Sequence, residues 1–156
     1  MELTSILTQS GYGCYIPLPE DIALQAQTEL GKRVICEVNG IPIHCAIKRS
    51  NRIGYYIMAG KSTVQKIQAE PGDTLNLVLR KDDTPYQMAM CAELEEVLFT
   101  DPEAEAFFKR LSDGKKRSLI HHVSKAKHSD TRINRALALM ENLKRGKTEL
   151  RDLTRS

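Results

Sequence analysis

The sequence predicts an α+β protein: a small antiparallel β-barrel of six or seven strands with two short helices, followed by a three-helix C-terminal segment. Three observations carry this. Asn39-Gly40 lies between two alternating apolar runs, RVICEV and IPIHCAIK, and Asn-Gly in that setting is the strongest short-range hairpin signal, because a type I′ turn needs φ > 0 at both central residues. Leu75, Leu77 and Leu79 alternate with Asn76, Val78 and Arg80 in a second run of period 2. Beyond about residue 93 the apolar period changes to 3.6. The expected organisation is a barrel over residues 1–95, a helical segment over 96–146 and a polar tail over 147–156, which is expected to fray.

Each element has a local reason. Glu2 to Leu7 is weakly patterned and reads as an edge strand. Gly11 to Ile16 reads as a strand opened by glycines and ended by Pro17 and Pro19. A short helix over Pro19 to Gln27 carries Glu20 and Asp21 in its first turn, where the helix dipole favours acids, and Gly31 closes it. In the hairpin, Val38 faces Ile41, Cys36 faces Ile43 and Val34 faces Cys45. Its core face is then Val34, Cys36, Val38, Ile41, Ile43, Cys45 and Ile47, with Arg33, Ile35, Glu37, Pro42, His44 and Lys48 on a wetter face. Arg52 to Met58 is a strand, Lys61 to Gln68 a short helix with Val64 and Ile67 inward, and Pro71-Gly72-Asp73 a turn with glycine at the φ > 0 position of type II. Lys81 to Pro85 turns the chain, and Tyr86 to Cys91 reads as a returning strand. Among the helices, Asp101 is an N-cap with Pro102 behind it, ahead of the stripe Ala104, Phe107, Phe108 and Leu111. Ser112 caps a second helix with Leu119, Ile120, Val123 and Ala126 inward. Ser129-Asp130 caps a third, with Ile133, Leu137, Met140 and Leu143 inward and Gly146 as its stop.

Composition narrows the function classes. The 156 residues are 41% hydrophobic and 28% charged, ordinary globular usage. With no Trp and 5% aromatic residues, a stacking platform for single-stranded nucleic acid is not expected. Four cysteines (Cys14, Cys36, Cys45, Cys91) fall in expected strands without metal-ligand spacing, and read as reduced and buried; Cys36 and Cys45 lie diagonally on the hairpin. The first thirteen residues lack the basic and apolar regions of a secretory signal, and no apolar run reaches the ~18 residues of a membrane span, so a cytoplasmic location is expected.

No catalytic motif stands out, and neither an enzymatic activity nor a cofactor is expected. Gly60-Lys61-Ser62 resembles the end of a phosphate loop, but Gly54 and Gly60 enclose five strand-like residues where that loop has four; Lys61-Ser62 reads as a helix start. His121, His122 and His128 lack acidic or thiol partners, so no metal site is assigned, and the surrounding cations would lower their pKa values. Glu93, Glu95, Glu96, Asp101, Glu103 and Glu105 read as a solvated charge cluster at helix starts.

The feature with a functional edge is basic. Residues 1–100 carry 9 Lys/Arg against 12 Asp/Glu, whereas 101–156 carry 14 against 8. Between 109 and 135, nine cations including Lys115, Lys116, Arg117, Lys127, Arg132 and Arg135 face only Asp113 and Asp130. Those six are the candidate anion- or partner-binding residues. Arg132 and Arg135, three apart, share a helical face and either fork around a phosphate or carboxylate or tie the helices to Glu103 or Glu105.

The run Asn39-Gly40, Gly54, Pro71-Gly72-Asp73, Asp82/Asp83-Thr84-Pro85, then Asp101-Pro102-Glu103-Ala104, Phe107, Ala126-Lys127, Thr131-Arg132 and Arg135, resembles a bacterial family with a β-barrel domain of unknown function fused to a bacteriocin-protection, or OmpD-associated, helical segment. The resemblance spans about Leu3 to about Gly146. It implies a double-split barrel with a helical appendage, no established enzymatic activity, and a role in tolerance of bacteriocins or antimicrobial peptides through an envelope protein. The chain departs from the family's pattern at Leu119-Ile120-His121-His122, where members often carry aromatic residues, and at Asp130, where they often carry Glu. The leading expectation is a non-enzymatic binding or stress-tolerance protein with an anionic or envelope partner. The alternative is a DNA-binding regulator using the barrel and the basic helices.

Overall fold

The computed structural model describes residues 1–11 and 13–156; Tyr12, inside the expected strand from Gly11, lies outside the described residues. The chain divides into two compact units, Met1–Gln87 and Met88–Ser156. The expected boundary near residue 95 falls inside a helix, Ala92–Thr100, of the second unit.

The first unit is a nearly closed antiparallel barrel of seven strands: β1 (Glu2–Ile6), β2 (Thr8–Ser10), β3 (Gly13–Leu18), β4 (Arg33–Val38), β5 (Ile41–Ser50), β6 (Gly54–Ala59) and β7 (Thr74–Lys81), in the order β1-β7-β4-β5-β6-β3-β2. Helix α1 (Glu20–Glu29) follows β3, and α2 (Lys61–Ile67) follows β6. The hairpin has its expected register, with Val38 opposite Ile41, Cys36 opposite Ile43 and Val34 opposite Cys45. Asn39 at φ 51° and Gly40 at φ 85° supply the turn the dipeptide called for. Strand β5 pairs with β4 up to Ala46 and with β6 from Ile47 onward, so one long strand joins the two halves of the sheet. The core holds Val34, Cys36, Val38, Ile57, Leu75, Leu77 and Leu79, each at most 1% exposed.

Two readings of this unit change. Pro17 does not end β3; it lies within it, opposite Tyr56. Its carbonyl points away from β6 and accepts from Ser5 Oγ at 2.6 Å. A residue's N–H and C=O project to the same side of a strand, so the missing N–H of Pro17 removes no bond to β6. The stretch from Tyr86 to Cys91 is not a strand. Asp82 is drawn into the protein and the chain after it folds into turns: Thr84 N–H donates to Asp82 Oδ1, Gln87 Nε2 donates to the Asp82 carbonyl, and Arg33 donates to the Gln87 carbonyl. Gln87 at φ 54° breaks any extended path.

The second unit contains α3 (Ala92–Thr100), α4 (Pro102–Lys109), α5 (Asp113–Ser124), α6 (Ser129–Lys144) and a terminal turn, α7 (Leu150–Leu153). It therefore has four full helices where three were expected, because the acidic stretch after Cys91 is itself helical and buries Leu94 and Leu98. Asp101 caps α4, accepting from Ala104 N–H at 3.1 Å, and Ser112 caps α5, accepting from Lys115 N–H at 3.3 Å. The residue before α6 is His128, which makes no side-chain cap, in place of the expected Ser129-Asp130. The buried face of α6 is Ala136, Leu139, Met140 and Leu143, an i, i+3, i+4, i+7 set, while Ile133 and Leu137 are 37% and 50% exposed. Nor does the tail fray. Leu153 is fully buried, and Asn142 Nδ2 donates to the carbonyls of Leu153 and Arg155.

Candidate binding surfaces of the helical unit

The six predicted cations part into two sets. Arg132, on the first turns of α6, donates to the carbonyls of Ala126 and Lys127 at 2.9 and 3.1 Å and to Glu93 Oε1 at 2.8 Å. Arg135, one turn on, donates to the carbonyl of His122 at 2.8 Å. Arg135 thus takes a carbonyl in the last turn of α5, which a helix leaves without a partner and which its dipole makes attractive to cations, while Arg132 holds two carbonyls of the loop that follows. The tie to a carboxylate is real, but the partner is Glu93 of α3 and not Glu103 or Glu105. The hydrogen bond from Arg132 leads the causes that take the Glu93 carboxyl down to about 2. Lys115 is also engaged, donating to the Thr148 carbonyl at 2.8 Å, and Lys116 lies 3.8 Å from Asp113. Arg117 and Lys127 have no side-chain partner among the described residues, and Lys127 is exposed.

The acidic cluster is likewise divided. Glu93 and Asp101 pair with Arg132 and Lys144, and Glu105 pairs with Lys109 at 2.8 Å. His122 is half-buried, and burial followed by the charges of Arg135 and Lys125 lowers its pKa, the direction its surroundings predicted. Among the described residues no helix is long and apolar enough to cross a membrane, and no group of three side chains is placed to hold a metal ion.

The surface that sequence reasoning missed lies between α3 and α6. Glu93 meets Arg132 at one end and Asp101 meets Lys144 at the other, so the two helices run in the same direction. Between them a groove of ≈500 Å³ is lined by Val97, Thr100, Ile133, Glu96 and Ser129. Leu137, one turn after Ile133 and 50% exposed, continues the apolar face of α6 beyond it. The charged residues that line it are Glu93 and Glu96, and no cation does, although the unit is basic. An apolar groove with an acidic border suits the apolar face of a cationic amphipathic helix. The signal was present in the sequence, since Ile133 and Leu137 form a stripe of their own, but that stripe reads equally well as core.

Two other features settle as structural. Gly60 precedes α2 and Lys61 is its first residue, so Gly60-Lys61-Ser62 is a helix start, as read. Cys36 and Cys45 are buried free thiols, whereas Cys14 and Cys91 are half-buried, and Cys91 precedes α3 where a strand was expected. The hydrogen bond shared with Cys45, then burial, push the Cys36 thiol far above its ordinary range and keep it protonated.

Residues 87–146 match the family described as Bacteriocin-protection, YdeI or OmpD-Associated. The match begins at the boundary of the helical unit and ends at Gly146, so the likeness falls on that unit. No curated protein matches the chain.

Proposed function

We propose that the protein is a non-enzymatic binding protein of the cytoplasm that contributes to tolerance of bacteriocins or cationic antimicrobial peptides, its helical unit being the part that engages a partner. The observation that carries this reading is the coincidence of the matched residues, 87–146, with a self-contained unit whose exposed apolar groove has an acidic border. Such a groove takes the apolar face of a cationic helix, either of the peptide itself or of an envelope protein segment. Arg132 and Arg135, the strongest anion-binding candidates in the sequence, already hold α5 and Glu93, which weakens the alternative of a duplex-DNA regulator.

The test has two parts. The chain is produced in a bacteriocin-sensitive bacterial strain and survival is scored against a panel of bacteriocins and cationic peptides. The purified chain is titrated with a synthetic Lys/Leu amphipathic helix. Raised survival and saturable binding are expected, both lost in an Ile133→Asp/Leu137→Asp variant. Because both positions are exposed, that variant retains its thermal melt. Unchanged survival together with absent peptide binding overturns the proposal.

A further inference from the structure

The barrel unit has an outer face that its core does not use. Ile16 and Ile47 both lie opposite Ile57 and point inward, so the neighbouring pairs, Tyr15 with Met58, Pro17 with Tyr56 and Lys48 with Tyr56, point outward. The rings of Tyr15 and Tyr56 meet edge to face, centroids 5.9 Å apart and planes at 76°. They line a trough of ≈720 Å³ bordered by Met58, Ile53 and Arg52. Met58 and Ile53 are 42% and 38% exposed, more than isolated apolar residues beside a tyrosine pair would require.

The charge around this trough is one-sided. Lys48 and Arg52 are both exposed and fall within five residues, and β2, β3, β5 and β6 contain no carboxylate. This holds although the first hundred residues are net acidic. The cations exclude one occupant at once: a second copy of the chain, packed face to face on a two-fold axis, would set these charges against themselves. An occupant with planar apolar groups and evenly spaced negative charge fits both features.

We propose that this face binds single-stranded nucleic acid, with bases stacking on Tyr56 and Tyr15 and the backbone phosphates running past Arg52 and Lys48. Every base has a π-face, so aromatic side chains on an open sheet hold a strand with little regard to sequence, and basic side chains track its backbone. The trough is open along the sheet and does not enclose a small molecule, which favours a polymer that continues past its ends. The low aromatic content of the chain argued against such a platform, but composition averages over both units. The structure gathers Tyr15 and Tyr56 onto one face of two adjacent strands.

The test is fluorescence anisotropy of the full chain with a fluorescein-labelled oligothymidylate, over a salt series, beside a hairpin duplex of equal charge. The single strand is expected to bind and the duplex to bind more weakly, with affinity falling as salt rises. Tyr56→Ala is expected to weaken binding roughly ten-fold or more and Tyr56→Phe to leave it unchanged, as stacking requires. Arg52→Glu, an exposed change that spares the fold, is expected to weaken binding and lower the salt slope by about one phosphate contact or more. Four outcomes overturn the proposal: no binding of the single strand at low salt; equal binding of duplex, abolished by Lys125→Ala/Lys127→Ala; full displacement by thymidine monophosphate at matching concentration; or unchanged binding in both Tyr56→Ala and Arg52→Glu.

Discussion

The two units finish their chains in opposite ways. The barrel unit ends in a loop held by polar groups. Asp82, whose side chain is fully buried, accepts from His44 Nδ1 at 2.6 Å and from the amide and hydroxyl of Thr84. Burial acts to raise the Asp82 carboxyl, but the hydrogen bonds from Thr84 and then His44 outweigh it and hold the group below its ordinary range. The helical unit ends in a single turn held chiefly by an apolar side chain, Leu153, with hydrogen bonds from Asn142 and Lys115 around it. A polar closure of this kind is directional and fixes one loop conformation, but it leaves unpartnered groups if one member is lost. An apolar closure is less exacting and insensitive to pH.

The sharpest way to break this contrast is Asp82→Ala, which leaves His44 and Thr84 without their acceptor. It is expected to cost about 2–4 kcal/mol, read from the shift of the urea midpoint. A loss below about 0.5 kcal/mol would mean that the loop does not depend on the carboxylate. Leu153→Ala is expected to cost about 2–3 kcal/mol through lost burial and a partial cavity, and to leave the pH profile of stability unchanged. Lys115→Ala removes one hydrogen bond to Thr148 from a partly exposed amine, so about 0.5–1 kcal/mol is expected.

Acidification sharpens the same contrast. His122 has a lowered pKa in the folded protein, so the unfolded chain takes up its proton first, and stability falls as pH drops through about 6.5. His122→Gln is expected to flatten that first decline in a series of thermal melts. Asp82 and Glu93 have lowered folded values, so their contributions are complete above the ordinary carboxylate range. Those contributions are lost at lower pH, for Glu93 between about 4.3 and about 2. A protein whose melting temperature held level down to pH ~4 would contradict the His122 assignment.

What could be read from the sequence was local. The hairpin register followed from two residues whose backbone conformation admits only one turn, and the starts of α4 and α5 followed from Asp101, Pro102 and Ser112. What could not be read depended on distant partners. The alternation of Tyr86, Met88 and Met90 suggested a strand, yet the path is set by Asp82 reaching His44, 38 positions away. Arg132 looked free to bind an anion because its carboxylate lies 39 positions earlier. On α6 two apolar stripes overlap in the sequence, and only packing chose Ala136 and Leu139 over Ile133 and Leu137. The same choice exposed the groove. Patterns of period 2 or 3.6 locate an apolar face without saying which of two faces is covered.

The seam of the barrel carries a last consequence. Beyond Tyr15, β3 has no ladder partner on its outer side among the described residues; β2 reaches no further, and β1 approaches there only through Ser5. Exposed strand edges recruit other chains by offering alternating donors and acceptors. Here an intruding strand would meet Pro17, which has no donor to offer, and a carbonyl already occupied by Ser5. The hydroxyl and the imino acid together deny the free edge a template for amyloid-like growth. Ser5→Ala/Pro17→Val would restore that template, and aggregation on prolonged warming is the cost expected of it.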